Sequence, residues 1–173
     1  MFDFIIKNGR VVDGAGNPWY SADIGISAER IAQLGRLDKE KATRIIDARG
    51  LIVSPGFIDM HSHSDLPLLI NPKAESKIRQ GITTEVIGNC GGSAAPLNDL
   101  LKGEMRKTTA ILDEAKLELD WSTMREYLNR LDKQGIALNV APLVGHENIR
   151  ALVIGFEDRA PNETELKKMK KAL

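Results

Sequence analysis

Asp59, His61, His63 and Asp65 stand two residues apart in the stretch Pro55-Gly56-Phe57-Ile58-Asp59-Met60-His61-Ser62-His63-Ser64-Asp65. On an extended strand such residues project to one face, so the four side chains would share a side and the two imidazoles would converge. Zinc binds imidazole nitrogen at about 2.0–2.1 Å, and neighbouring same-face side chains can both reach such a centre. A strand end with two solvated histidines is the alternative, because short His-x-His patterns also arise by chance. Cys90 is a second anchor. If the strand through Thr84 runs regularly, then Thr84, Val86, Gly88 and Cys90 share a face. With adjacent strands about 4.8 Å apart, the thiol would then lie beside the histidines. A lone cysteine is as readily a small buried hydrophobe, although the neighbours of this one are Asn and Gly rather than core residues.

These groups need a scaffold. Leu51-Ile52-Val53, followed by Phe57, Ile58 and Met60, lacks clean alternation, as expected of a strand covered on both faces in a parallel sheet. Polar residues at the end of such a strand would sit where a (β/α) barrel opens its mouth. From Leu51 onward strand and helix patterns alternate. Asn71 and Pro72 begin a helix that runs to Gln80 and stops at Gly81, and a strand follows over 82–87. Residues 97–119 read as helix with a break near Gly103 or Thr108-Thr109. A further helix is capped by Ser122 and stopped by Gly135, and a strand over 136–141 leads to His146. A helical turn over 148–154 and a last helix capped by Asn162 complete the pattern. Ahead of all this, Asn8-Gly9 predicts a β-hairpin over residues 2–13. A second hairpin turns through Ser27-Ala28-Glu29, and another strand covers 44–48. The expected division is a small β-sheet over 1–52, part of a composite β-sandwich, and a partial α/β barrel over 53–173.

Lys+Arg 24 against Asp+Glu 24 gives no net charge, so neither nucleic acid nor an anionic membrane is suggested as a partner. The lysines at 167, 168, 170 and 171 read as a solvated helix face. The apolar runs are too short to span a bilayer, the N-terminus lacks a secretory signal, and one cysteine fits a reducing compartment. A cytoplasmic location is the expectation. The last helix reaches Leu173 without a terminating glycine or proline. A complete barrel needs about 200 residues or more, against about 120 after the β-rich start, so the sequence reads as the front part of a larger enzyme. Open strand edges and uncovered apolar faces in such a piece would favour self-association or disorder.

The residues carry a family resemblance. Pro55-Gly56-Phe57-Ile58-Asp59-Met60-His61-Ser62-His63, with its lead-in Asp47-Ala48-Arg49-Gly50, resembles the first-strand metal motif of the amidohydrolase superfamily. Gly81-Ile82-Thr83-Thr84, Gly88-Asn89-Cys90-Gly91, the stretch from Asn139 to His146, and Arg159-Ala160-Pro161 are similar to its D-aminoacylase (N-acyl-D-amino-acid deacylase) branch. The resemblance implies a metal-dependent (β/α)8 barrel behind a small β-sandwich portion, and one or two zinc ions in the full-length protein. It also implies hydrolysis of N-acyl-D-amino acids to a carboxylate and a D-amino acid. His61 and His63 would bind the more exposed metal, and Cys90 would replace the bridging carboxylated lysine of many relatives. Asp65 would be a partner for a ligating histidine or a plain loop residue. His146 would lie at the barrel mouth without an assigned role. The remaining ligands and the catalytic aspartate are expected beyond Leu173, which would leave this segment alone inactive and a poor metal binder. A cyclic amidohydrolase of the hydantoinase or dihydroorotase type is the nearest alternative, and a metal-free barrel scaffold the alternative from another class.

Overall fold

The computed structural model describes the chain from Met1 to Leu173 apart from the Ile111 side chain. By internal packing it divides into two units, Met1–Pro55 and Gly56–Leu173.

The first unit contains β1 (Phe2–Lys7), β2 (Arg10–Val11), β3 (Tyr20–Ser21), β4 (Asp23–Ser27), β5 (Arg30–Gly35), β6 (Ala42–Asp47) and β7 (Ile52–Val53). They form two sheets, ordered β5-β4-β1-β6 and β3-β2-β7, over buried Ile5, Val11, Ile24 and Leu37. The hairpin expected around Asn8-Gly9 does not form. β1 pairs antiparallel with β4 and parallel with β6, whereas β2 pairs with β3 and β7 in the other sheet. Asn8 does adopt a positive φ of 64°. Its backbone N–H donates to Asp23 Oδ1 at 3.1 Å and its side-chain amide to Asp47 Oδ1 at 2.8 Å, ties that carry the chain from one sheet to the next. The second expected hairpin is present. β4 and β5 pair antiparallel across Ala28 and Glu29, both at positive φ, so the turn has two residues rather than three.

The second unit alternates as expected: β8 (Phe57–Asp59), α1 (Pro67–Ile70), α2 (Glu75–Ile78), β9 (Ile82–Ile87), α3 (Asp99–Thr108), α4 (Ala110–Glu114), α5 (Met124–Gln134), β10 (Asn139–Pro142), α6 (His146–Ile154) and α7 (Glu163–Lys171). The strands form one sheet ordered β10-β9-β8, parallel throughout. Consecutive βα units laid side by side in this way follow the plan on which a (β/α)8 barrel is built. No helix among the described residues is long and apolar enough to cross a membrane.

Local chemistry explains where two expected boundaries moved. Pro72 disfavours the helical region for the residue before it, so Asn71 (φ −122°, ψ 79°) ends α1 instead of starting a helix. α2 begins only after Ala74, at φ 44°. Thr123, not Ser122, caps α5. Its hydroxyl accepts the Glu126 N–H at 3.2 Å, while the Glu126 carboxylate accepts from Thr123 N at 2.9 Å and Ser122 N at 2.8 Å. The breaks at Thr109 and Gly135 and the Asn162 cap stand as read. The core gathers Ile87 of β9, Leu112 of α4, Tyr127 and Leu131 of α5, and Trp121 just before α5. The Trp121 indole donates to Ala94 O at 2.7 Å, which anchors the loop after β9 to this core.

Candidate metal centre

β8 stops at Asp59, so the two histidines lie in the segment beyond the strand rather than on it. The expected sharing of one face by Asp59, His61, His63 and Asp65 does not hold. Asp59 Oδ2 and Ser62 Oγ, an odd and an even position, both meet Lys77 Nζ, at 2.7 and 3.5 Å. Regular two-residue alternation cannot place them together. The pairing of β8 with β9 is already irregular between Phe57 and Ile58. Past Asp59 the chain stays on β9 through Ser62 N, which donates to Val86 O at 3.0 Å. Asp59 Oδ1 accepts the backbone N–H of His61 at 3.1 Å.

Cys90 is also delivered by a turn, because β9 ends at Ile87 and Gly88, Cys90 and Gly91 all have positive φ. Gly88 is required twice over: its φ is +77°, and a Cβ there would run into the carbonyl oxygen of Leu143. The Asn89 side chain straps the two segments together, donating to Ser62 O at 3.0 Å and to Val86 O at 2.8 Å. From the other side, Glu147 N donates to Gly91 O at 2.9 Å. Asn148 both accepts from Ser93 N and donates to Ser93 O at 2.9 Å.

The result brings His61, His63 and Cys90 together. One donor atom from each lies within 4.8 Å of the others. His61 Nε2 sits 3.2 Å from Cys90 Sγ, and the imidazole centroids are 5.3 Å apart at 62°. All three side chains are exposed. Two imidazoles and a thiol at this spacing suit a tetrahedral zinc ion, with bonds of about 2.0–2.1 Å to nitrogen and about 2.3 Å to sulfur. A cavity of about 510 Å³ adjoins the cluster, with His63, Asn89 and Cys90 on its wall beside Leu101, Met105 and Phe156.

Two expected residues stand apart. The Asp65 carboxylate accepts from Gly88 N and Ala94 N, both at 3.4 Å, so it braces the Cys90 loop and has no hydrogen bond to a histidine. Burial raises its pKa, against the effect of those N–H donors. Tyr127 donates its hydroxyl to Asp65 O at 2.7 Å, and burial first, then the Asp65 charge, raises the phenol's pKa. His146 is exposed at the first position of α6 and is not a member of the cluster.

Sequence reading missed Lys77 and Glu85. Lys77 Nζ lies 2.7 Å from both Asp59 Oδ2 and Glu85 Oε1, and the Glu85 side chain is fully buried. The hydrogen bond to Asp59, then that to Glu85, raises the Lys77 pKa, and the bond to Lys77 is the main cause of a lowered Asp59 pKa. The available signal was a carboxylate in the middle of the β-branched run Ile82-Thr83-Thr84-Glu85-Val86-Ile87.

The amidohydrolase family pattern matches residues 44–171. The chain belongs to the amidohydrolase family. Within it, the chain is 42% identical over 171 residues to N-acyl-D-glutamate deacylase of Alcaligenes xylosoxydans xylosoxydans, covering 99% of the chain and 34% of the relative. The solved structure of N-acyl-D-glutamate deacylase from Bordetella bronchiseptica, complexed with zinc and a phosphonate inhibitor, superposes with a TM-score of 0.86 at 41% identity, over 99% of this chain and 35% of that one. A D-aminoacylase structure described for its binuclear metal centre superposes with a TM-score of 0.85 at 38% identity, again over 99% and 35%. The chain therefore spans about a third of the length of these relatives.

Proposed function

We propose that the full-length protein bearing this segment is a zinc-dependent amide hydrolase of the N-acyl-D-amino-acid deacylase type, releasing a carboxylate and a D-amino acid. The observation that carries this reading is the convergence of His61, His63 and Cys90 within 4.8 Å, in a chain 42% identical to an N-acyl-D-glutamate deacylase. His61, His63 and Cys90 would hold the metal. When bound, zinc would polarise the acyl carbonyl and bring a water's pKa down towards about 7. The residues of this chain supply placement. Asp59 fixes the His61 backbone, Asn89 ties the histidine segment to the end of β9, and Asp65 with Asn148 holds the loop that presents Cys90. The adjoining cavity of about 510 Å³, apolar at Leu101, Met105 and Phe156, offers room for part of a small acyl substrate. Further ligands and the proton-transferring aspartate would come from elsewhere in the full-length protein.

Cys90 separates this reading from a cyclic amidohydrolase with a lysine bridge. In the full-length protein Cys90→Ala is expected to lower zinc content and to reduce hydrolysis of N-acetyl-D-amino acids at least a hundredfold. Unchanged zinc and activity in that variant would contradict the assignment.

A further inference from the structure

Beneath the histidine segment a single ammonium touches the groups on either side of His61. Lys77 Nζ, from α2, lies 2.7 Å from Asp59 Oδ2, 2.7 Å from Glu85 Oε1 and 3.5 Å from Ser62 Oγ. Asp59 in turn accepts the His61 N–H, and the Ser62 hydroxyl donates to Glu85 Oε1 at 3.2 Å. His61 is thus bracketed at residues 59 and 62, and both brackets end on one side chain. We propose that Lys77 and Glu85 are positioning residues, a charged clamp that sets the His61-Ser62-His63 segment at the geometry its metal requires. This rests on the metal-centre reading above and goes beyond it in assigning roles to α2 and to the middle of β9.

The cost of the arrangement argues for such a role. Glu85 is fully buried, and its second oxygen, Oε2, has no hydrogen-bond partner among the described residues. Burying a carboxylate is costly before pairing offsets it, and an apolar pair of similar volume is often as stable or more so. Stability alone therefore gives Lys77 and Glu85 little advantage over a hydrophobic pair. What an apolar pair could not do is hold Asp59 and Ser62 at fixed hydrogen-bond distances. Metal sites depend on such supporting contacts, whose loss typically weakens metal binding about 10–100-fold.

The test uses the full-length protein, with zinc affinity measured by chelator competition and melting followed on the metal-free form. Lys77→Met alone strands Glu85 and is expected to lower both. The double variant K77M/E85L removes the buried charge, so melting is expected to return towards wild type while zinc binding stays at least 10-fold weaker. Wild-type zinc affinity in K77M/E85L would overturn the clamp. Should that variant not fold, Ser62→Ala decides: it changes no charge, and zinc binding weakened at least threefold is expected, whereas unchanged binding refutes the proposal. His61→Ala separates the two readings. Zinc uptake unaffected by His61→Ala would refute the metal centre and the clamp with it, while zinc lost in His61→Ala but intact in K77M/E85L would refute the clamp alone.

Discussion

Cys90 reaches the imidazoles because the backbone leaves the strand before it. The sequence reading put Cys90 on the histidines' face only if the strand through Thr84 ran on regularly, and instead the thiol is carried by a turn with Cys90 at φ 56°. The three donors were legible because their chemistry is rare, whereas the supporting groups, Asn89, Lys77 and Glu85, were not. Their partners lie between 3 and 27 residues away, and polar residues of ordinary type carry no spacing signal until the fold pairs them. Glu165 is paired more locally: its carboxylate takes two bonds from Arg159, at 2.7 and 2.8 Å, and one from Asn162 N at 2.8 Å. The Arg159 guanidinium first, and then that N–H, hold its pKa at about 2 against an ordinary 4.5. A carboxyl depressed on folding stabilises the folded state above its unfolded pKa, and that contribution is lost as pH falls from about 4.5 towards 2. An NMR titration of Glu165 is expected to show a midpoint near 2 that rises towards 4.5 in Arg159→Ala. A wild-type midpoint near 4.5 would contradict the pairing.

At the scale of elements, the loop between β9 and α3 is sensitive to a small change. Gly88 combines a left-handed backbone with contact against the Leu143 carbonyl, and a backbone oxygen cannot swing away as a side chain can. Gly88→Ala is expected to destabilise by more than about 1 kcal/mol and to displace Cys90, which chemical denaturation and thiol accessibility would check. A change within about 0.3 kcal/mol would mean that the loop accommodates a Cβ. The Asn162 cap was legible with its Glu165 partner in the same turn, whereas at α5 the neighbouring Ser122 drew the expected cap one residue ahead of Thr123. The Asn8-Gly9 signal misled for a physical reason. It reports a positive φ at a turn but says nothing of which strand lies beside β1, and that choice went to β4 and β6 through Asp23 and Asp47.

At the scale of the molecule, alternating strand and helix patterns predicted parallel βα units, and the structure orders them β10-β9-β8, since βα units laid down in sequence pair with their neighbours. β8 and β10 each pair with β9 alone among the described residues, and Phe57 and Ile58 on β8 remain 59% and 58% exposed. Unpaired edges with apolar side chains invite strand pairing between copies. The isolated 173-residue chain is accordingly expected to self-associate in sedimentation velocity, and a sharp monomer boundary with a cooperative melt would contradict this. Zinc K-edge X-ray absorption on the full-length protein tests whether one metal is held jointly by two imidazoles and a thiolate. One sulfur scatterer at about 2.3 Å is expected together with imidazole nitrogens at about 2.0–2.1 Å, with the sulfur shell lost in Cys90→Ala. A wild-type spectrum fitted by nitrogen and oxygen alone would contradict it.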